Sequence, residues 1–291
     1  MSIEPSAREI ERVEGEAWTK LLFATPNKFR ERHGIQVHRG GAVVTLLASR
    51  ADVATINRTI GLGLEQPLTD DELRRVTASY VDAGVPRWLI EWTPGAQPSD
   101  VAELLSRYGG TLRSPTVKFW RAIGDDLPNA ETPLDIVEID ASHAAEFQAT
   151  VAPPLGVPSD ISPMIASAVG DDGWHYYLAR DGDRAVAGAA MFVHGRAAWM
   201  GIAGTAADAR GRGAQSALIA RRVRDAGRLG CDWVSADTSV DTAERPNPSY
   251  RNMQRAGLRP LYHRAKYLFE LTSAKSLLAA RSIQHQTNEH E

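Results

Sequence analysis

The sequence has a single cysteine, Cys231, among 291 residues. One thiol cannot form an intramolecular disulfide and cannot supply the thiolates of a zinc–cysteine cluster, so we predict no metal site. The longest apolar stretch, near 42–48, is far shorter than the roughly 18 residues that a membrane span needs. The first residues, MSIEPSAREIERVEGE, have neither the basic nor the apolar region of a signal peptide. These absences predict a cytoplasmic protein with no membrane partner.

An excess of charge of one sign is also absent. The 33 Lys and Arg residues nearly balance 36 Asp and Glu residues, which gives a formal net charge of −3. Proteins that bind nucleic acid through its phosphates usually carry a large positive excess, so no nucleic-acid partner is expected. Hydrophobic residues make up 43% and charged residues 24%, a balance typical of a chain that buries a core. The length favours two domains.

Two parts of the chain repeat one order of elements. The apolar patterns predict strand, helix, strand, helix and strand at 41–49, 69–84, 86–92, 99–110 and 116–123, and again at 196–204, 212–229, 231–238, 247–257 and 259–271. This predicts a tandem repeat of one α/β unit, with a linker at 124–133. We predict domains at 1–128 and 129–272 and a polar tail at 273–291. The proline-rich segment 152–163 is predicted as a loop.

The segment GTAADARGRGAQSALIARRV, at 204–223, carries the most chemical information. A predicted strand runs into Arg-Gly-Arg-Gly, and a predicted helix begins at once. Gly211 and Gly213 allow backbone N–H groups to point inward together, and the helix N-terminus adds partial positive charge. Arg210 and Arg212 add full charges. Strand, arginines, glycine spacing and helix together predict a site that binds a diphosphate.

With these residues, the C-terminal half resembles the GNAT superfamily of N-acetyltransferases, whose acyl-CoA loop has the pattern Q/R-x-x-G-x-G/A. Residues 210–214 match the first five positions, and Gln215 stands where the family has Gly or Ala. A second family signature is a helix that begins with Asn and ends in Gly-Phe. Here it corresponds to Asn247 through Gly257, followed by Leu258 in place of Phe. The resemblance covers about residues 134–271.

The resemblance implies an α/β (α+β) fold of tandem GNAT-like domains. Each would have a mixed, mostly antiparallel sheet flanked by helices, and the C-terminal domain a splayed pair of parallel strands. It also implies acetyl-CoA as co-substrate, with its pantetheine arm on the strand end and its diphosphate on the loop amides. The implied binding residues are Ala203, Gly204, Thr205, Arg210, Gly211, Arg212, Gly213, Ala214, Gln215, Ser216, Asn247, Ser249 and Asn252. Helix capping is the alternative role for Asn247, because it precedes Pro248.

The N-terminal copy lacks this loop. Its Gly61-Leu62-Gly63 turn is not followed directly by a helix, and the helix that does follow begins with Asp70, Asp71 and Glu72. Acidic residues suit a helix N-terminus but repel a diphosphate. We predict a degenerate copy that shapes the acceptor pocket.

The catalytic residues are harder to assign. Many family members have a Tyr four residues before the Gly of the second signature, and that position here is Met253. Tyr250 and Tyr262 are the candidate general acids, although each also suits ordinary packing. The candidate general base is Asp237 at a strand end, with Glu244 and His175 as alternatives.

The sequence therefore predicts an N-acetyltransferase that moves an acetyl (acyl) group from acetyl-CoA to a primary amine of a small molecule by direct transfer. The missing Tyr leaves open a non-catalytic acyl-CoA-binding or regulatory protein. A nucleic-acid module with Arg-Gly-Arg-Gly as a basic turn is the third hypothesis, and the net negative charge opposes it. No pattern in the sequence identifies the acceptor or an oligomeric state.

Overall fold

A computed structural model describes residues 4–124 and 126–288 of the chain. Its helices are α1 (Ala7–Ala24), α2 (Asn27–His33), α3 (Asp70–Asp82), α4 (Val101–Ser106), α5 (Ala144–Leu155), α6 (Ala214–Arg228), α7 (Pro248–Arg255) and α8 (Leu271–Asn288). Its strands are β1 (Ile35–Gly40), β2 (Val43–Ala48), β3 (Arg58–Ile60), β4 (Arg87–Trp92), β5 (Thr111–Ala122), β6 (Asp135–Ile139), β7 (Trp174–Asp181), β8 (Arg184–His194), β9 (Ala197–Thr205), β10 (Trp233–Ser239) and β11 (Arg259–Glu270).

The chain forms two compact units, and each unit is built from two separate segments. Unit 1 consists of Met1–Thr25 and Thr116–Tyr262, and unit 2 of Pro26–Pro115 and His263–Glu291. The division differs from a single cut in the sequence because α1 belongs to unit 1 and because β5 and β11 each pass from one unit to the other. The linear boundary after residue 128 stays a prediction about the sequence repeat.

Unit 1 has a six-stranded sheet in the order β5-β10-β9-β8-β7-β6. Neighbouring strands are antiparallel except β9 and β10, which are parallel. Their pairing ends at Met200 and Ala236, although β9 continues to Thr205 and β10 to Ser239. The two strands therefore separate beyond this point, which confirms the predicted splayed pair.

A bulge lies where β9 leaves β10. Gly188 pairs with Gly204 and Ala190 with Gly201, so two residues of β9, Ile202 and Ala203, lie opposite one residue of β8. Ile202 has a φ of 47°, a left-handed conformation that β-branched residues seldom adopt. An extra residue bends a strand and increases its twist. The bulge thus turns the end of β9 away from its parallel neighbour.

Helices cover both faces of the unit 1 sheet. Leu218, Ile219 and Val223 of α6 pack in a core with Val234 and Ala236 of β10. The opposite face carries α1, whose Trp18 ring lies 5.9 Å from the Trp199 ring of β9. Helix α1 is absent from the elements predicted above. Its signals are a capping box between Ser6 and Glu9 and buried apolar residues at helical spacing, Ile10, Val13, Ala17 and Leu21.

Unit 2 repeats the plan with a five-stranded sheet in the order β1-β2-β3-β4-β11. The β3–β4 pair is parallel and the other pairs are antiparallel. Stacked aromatic rings fill its core, with Tyr80 4.8 Å from Trp88 and Trp88 5.5 Å from Phe269. Two mixed, mostly antiparallel sheets flanked by helices confirm the predicted fold class.

The last strand of each repeated set pairs with a strand of the other set: β5 with β10 in unit 1, and β11 with β4 in unit 2. Alternation of apolar residues sets the faces of a strand but not its partner. The predicted loop 152–163 instead includes the end of α5, which Gly156 terminates at a φ of 67°, and the start of a 3₁₀ helix at Ser162–Ala166. Short β3 was read as part of a connection.

The predicted polar tail begins inside α8, and its last three residues lie outside the described part of the chain. None of the helices in the described ranges combines the length and the apolar character of a membrane span.

Candidate functional site

Unit 1 contains a cavity of about 800 Å³ at the end of β9. It lies beside the loop before α6 and the first turns of α6 and α7. Its lining is Pro154, Ala203, Gly204, Thr205, Ala209, Arg210, Gly211, Gly213, Ala214, Gln215, Ser216, Leu218, Arg222, Asn247, Pro248, Ser249, Asn252 and Arg255. Every residue predicted to bind acetyl-CoA lines this cavity except Arg212.

The two loop glycines have different reasons to be glycine. Gly211 and Gly213 both have positive φ, 79° and 80°. A Cβ on Gly213 would lie 2.8 Å from the Glu131 carbonyl oxygen, whereas a Cβ on Gly211 would meet nothing within 4 Å.

No side chain caps α6 at Gly213, so the first N–H groups of this helix have neither a side-chain cap nor an acceptor within the helix. Such N–H groups bind anions, and the loop therefore fits a diphosphate.

The two loop arginines face different partners. Arg210 is exposed and lines the cavity. Arg212 donates two hydrogen bonds to the Asp181 carboxylate, at 2.6 and 3.0 Å, and these lower the pKa of Asp181 below its usual value. The prediction treated both arginines as charges for the diphosphate. The structure places the Arg212 side chain on Asp181, outside the cavity lining.

Hydrogen bonds join α6 to α7 beside the cavity. Gln215 Nε2 donates to Ser249 Oγ at 2.8 Å, and Asn252 Nδ2 donates to Gln215 Oε1 at 2.6 Å. Asn247 caps α7, since its Oδ1 accepts from the Ser249 N–H at 3.0 Å, and its Nδ2 donates to Thr238 Oγ1 at 3.0 Å. The capping role that the sequence left open for Asn247 is thus present, and this residue also ties α7 to the end of β10.

The cavity lining is positively charged. It contains Arg210, Arg222 and Arg255, and none of the lining residues is Asp or Glu. Sequence analysis did not identify Pro154, Ala209, Leu218, Arg222, Pro248 and Arg255 as lining residues. Helical spacing is the signal that reveals two of them, because Leu218 and Arg222 follow Ala214 at four-residue intervals and so share its face of α6.

The catalytic candidates do not line the cavity. The Tyr250 ring packs edge-on against Phe119, with centroids 4.9 Å apart. Met253, at the position where the family has Tyr, is buried in the core. Asp237 Oδ1 accepts a hydrogen bond from Lys118 Nζ at 3.2 Å, and this fully buried lysine also pairs with the buried Glu14 of α1.

A cluster of polar side chains therefore lies beneath α1, on the face opposite α6. Tyr262 Oη donates to Glu11 Oε1 at 2.7 Å, and Glu11 is one turn from Glu14 along α1. We call Glu11, Glu14, Lys118, Asp237 and Tyr262 the α1 polar cluster. Asp237 is the first residue of β10 beyond its parallel pairing with β9, so its carboxylate, with 22% of the side chain exposed, stands at the splay.

The two alternative bases lie elsewhere. His175 Nδ1 is 2.7 Å from Glu138 Oε1, an arrangement between neighbouring strands β7 and β6. Glu244 is exposed in the loop before α7, where a hydrogen bond from its own backbone lowers the pKa of its carboxyl. Neither residue lines the cavity.

The turn of unit 2 that corresponds to the glycine loop of unit 1 is buried. Gly61, Leu62 and Gly63 are buried, and a Cβ on Gly63 would lie 2.5 Å from the Trp92 ring. At the start of α3, Asp70 accepts a hydrogen bond from Tyr108 Oη at 2.6 Å. A buried turn and an acidic helix start do not fit a diphosphate, in agreement with a degenerate copy.

Solved structures similar to this chain include GCN5-related N-acetyltransferases. One from Kribbella flavida is 18% identical, with a TM-score of 0.62 over 92% of this chain and 96% of that chain. Another from Sphaerobacter thermophilus is 14% identical, with a TM-score of 0.58 over 91% and 94%. A tandem GNAT protein from the clavulanic acid biosynthesis pathway is 12% identical, with a TM-score of 0.53 over 92% and 97%.

No protein-family model and no curated protein matches the sequence. At these identities the structural similarity establishes the fold. The chain has the tandem GNAT fold, and the resemblance predicted from the loop motif is confirmed at that level.

Proposed function

We propose that this chain is an N-acetyltransferase that moves an acetyl, or another acyl, group from acyl-CoA to a primary amine of a small molecule by direct transfer. One observation carries the proposal. The glycine loop, the freed end of β9 and the polar face of α7 line a single cavity in a tandem GNAT fold. The acyl chain that the cavity prefers is left open by the loop motif.

The cavity offers separate partners for the parts of acyl-CoA. The N–H groups at the start of α6 and the Arg210 guanidinium suit the diphosphate, because they present positive charge without a competing carboxylate. Main-chain groups of Ala203 to Thr205 suit the amides of the pantetheine arm, because β9 has left β10 at this point. The thioester would then reach the splay, where backbone N–H groups polarise its carbonyl.

The acceptor amine must lose a proton before it attacks. At pH 7, deprotonation of an ammonium group with a pKa of about 10.4 costs about 4.6 kcal/mol. A general base that accepts the proton offsets this cost. Asp237 is our proposed base, because its carboxylate stands at the splay. Tyr250 is the first candidate acid for the departing thiolate and Tyr262 the second. Lys118 and Phe119 are consecutive residues of β5, so their side chains point to opposite faces of the sheet. Lys118 contacts Asp237 and Phe119 packs against Tyr250, so Asp237 and Tyr250 also lie on opposite faces.

A non-catalytic acyl-CoA-binding protein is the second candidate function. The observation that favours it is Met253, a buried apolar residue where the family has its usual acid. This candidate shares the acyl-CoA cavity with the first, so turnover alone separates the two.

The test measures release of the CoA thiol from acetyl-CoA in the presence of a panel of primary amines. We expect turnover with at least one amine, and a fall in kcat of about 100-fold or more for Asp237→Asn with little change in acetyl-CoA affinity. Asp232→Asn is the control, because Asp232 lies immediately before the same strand but pairs with the exposed Arg196. Acetyl-CoA binding without turnover on any amine would support the non-catalytic function instead.

A further inference from the structure

Arg222 is a buried cation at the cavity, and no carboxylate of the described residues pairs with it. Its side chain lies on α6 with 3% of the residue exposed, and it lines the cavity. Its Nε donates to the Leu218 carbonyl at 3.1 Å and its Nη1 to the Ala190 carbonyl at 3.0 Å. Burial lowers the pKa of Arg222 to about 10, so the guanidinium remains charged at neutral pH.

Two other arginines on α6 each have a carboxylate partner. Arg221 and Arg228 both pair with Asp225, at 2.7 and 2.9 Å. A buried charge is costly unless an opposite charge compensates it, and a guanidinium has five N–H donors, of which Arg222 uses two on carbonyl groups. A ligand anion in the cavity would supply the missing charge.

The position of Arg222 separates it from the diphosphate site. Arg222 is eight residues beyond Ala214, which places it about 12 Å further along α6. Its partner Ala190 pairs with Gly201, next to the bulge where β9 turns away from β10. In the proposed function, the pantetheine arm leads from the helix start toward this splay. Arg222 therefore lies at the acyl end of the cavity.

We propose that Arg222 binds the free carboxylate of the acyl group, so that the preferred donor is the CoA thioester of a dicarboxylic acid. This inference rests on the proposed function, because it assumes that acyl-CoA occupies the cavity. A guanidinium binds a carboxylate through two parallel N–H···O bonds, which a plain acetyl group cannot accept. Acetyl-CoA would keep the diphosphate contacts and lose only this one.

The experiment compares succinyl-CoA with acetyl-CoA by calorimetric titration of the full chain. We expect the wild type to bind succinyl-CoA about ten-fold or more tightly than acetyl-CoA. Arg222→Met is expected to make the two affinities equal, because the preference for succinyl-CoA rests on its carboxylate contact with the guanidinium. Arg224→Met, two residues away on α6 and outside the cavity lining, is the matched control and should keep the preference.

The outcomes separate this inference from the function on which it rests. If neither thioester binds to the folded wild type, the cavity is not an acyl-CoA site and both proposals fail. If acetyl-CoA binds and succinyl-CoA binds no more tightly, only the carboxylate site fails. An equal loss of both affinities in Arg222→Met would show that Arg222 only supports the bulge. Should that variant not fold, the wild-type comparison decides, with Arg222→Lys expected to retain part of the preference.

Discussion

Gln215 Nε2 on α6 donates a hydrogen bond to Ser249 Oγ on α7 at 2.8 Å. The other end of the same amide accepts from Asn252 Nδ2 at 2.6 Å. The residue that departs from the loop motif therefore ties together the two helices that line the cavity. A Gly or Ala at this position would leave its backbone N–H in place but remove both side-chain bonds.

Gln215→Ala should accordingly weaken the fold more than the binding site. Loss of two partly buried hydrogen bonds is expected to lower the free energy of unfolding by about 1–2 kcal/mol. Acetyl-CoA affinity should change by less than about three-fold, because backbone N–H groups hold the diphosphate. Urea denaturation and calorimetry measure the two effects, with the exposed Gln254→Ala of α7 as control. Complete loss of binding with unchanged stability would contradict this role.

The two loop glycines should respond differently to alanine. Gly213→Ala brings a Cβ to 2.8 Å from the Glu131 carbonyl oxygen, so the loop must shift, and we expect acetyl-CoA affinity to fall at least ten-fold. Gly211→Ala meets open space and carries only the strain of a left-handed backbone, about 1–2 kcal/mol. Titration of each folded variant tests the order. A larger loss of affinity in Gly211→Ala would refute the proposed loop geometry.

The loop arginines give a matched pair of charge removals. Arg210→Ala removes an exposed cation from the cavity lining and should weaken acetyl-CoA binding about three- to ten-fold, with a smaller effect at high salt. Arg212→Ala removes a cation that Asp181 already neutralises, and affinity should change by less than about two-fold. Titrations at low and high salt compare them. Equal losses would mean that Arg212 leaves Asp181 when the ligand binds.

Lys118 is expected to dominate the stability of the α1 polar cluster. Lys118→Met removes the buried cation that pairs with the buried Glu14 carboxylate, and we expect the free energy of unfolding to fall by about 3–5 kcal/mol. The double variant Glu14→Gln, Lys118→Met should recover part of the loss. For comparison, Arg74→Ala breaks an exposed pair with Asp71 and should cost less than about 1 kcal/mol. Urea denaturation measures all three; a Lys118→Met effect as small as that of Arg74→Ala would be the contrary result.

Cys231 provides a pH-dependent probe of the unit 1 core. Burial raises the pKa of its thiol to about 11, so about one thiol in a thousand is ionised at pH 8. Thiol-specific reagents should react slowly with the folded chain and rapidly in urea. Because the folded pKa is the higher one, the neutral thiol stabilises the fold below about pH 8.5, and this is lost as pH rises toward 11. Rapid labelling of the folded chain at pH 8 would disagree with this environment.

Local patterns predicted the loop and the helices that line the cavity, whereas the splayed strands were implied by the family resemblance alone. The Arg-Gly-Arg-Gly turn, the helical spacing after Ala214 and the Asn247 cap each act over a few residues, so sequence alone specifies them. The partner of β5 and of β11 could not be predicted, because alternation fixes which face of a strand is buried and not the strand beside it.

Side-chain partners distant in sequence were equally hidden. Nothing in the sequence near Arg212 indicates that Asp181 binds it, and nothing near Asp237 indicates Lys118 and Glu14. The α1 polar cluster joins residues that are far apart in sequence. Glu14 of α1 lies 104 residues before Lys118 of β5, and only the fold brings them together. In the same way, nothing near Arg222 in the sequence indicates that its guanidinium donates to the Ala190 carbonyl oxygen on β8.

The most direct test of the central claim is a calorimetric titration of acetyl-CoA into the wild-type chain and into the double variant Arg210→Glu, Gly213→Asp. We predict micromolar binding to the wild type and none to the folded variant, since the two changes place negative charge at the diphosphate site. If the folded wild type does not bind, or if the variant binds equally well, the cavity in unit 1 is not an acyl-CoA site.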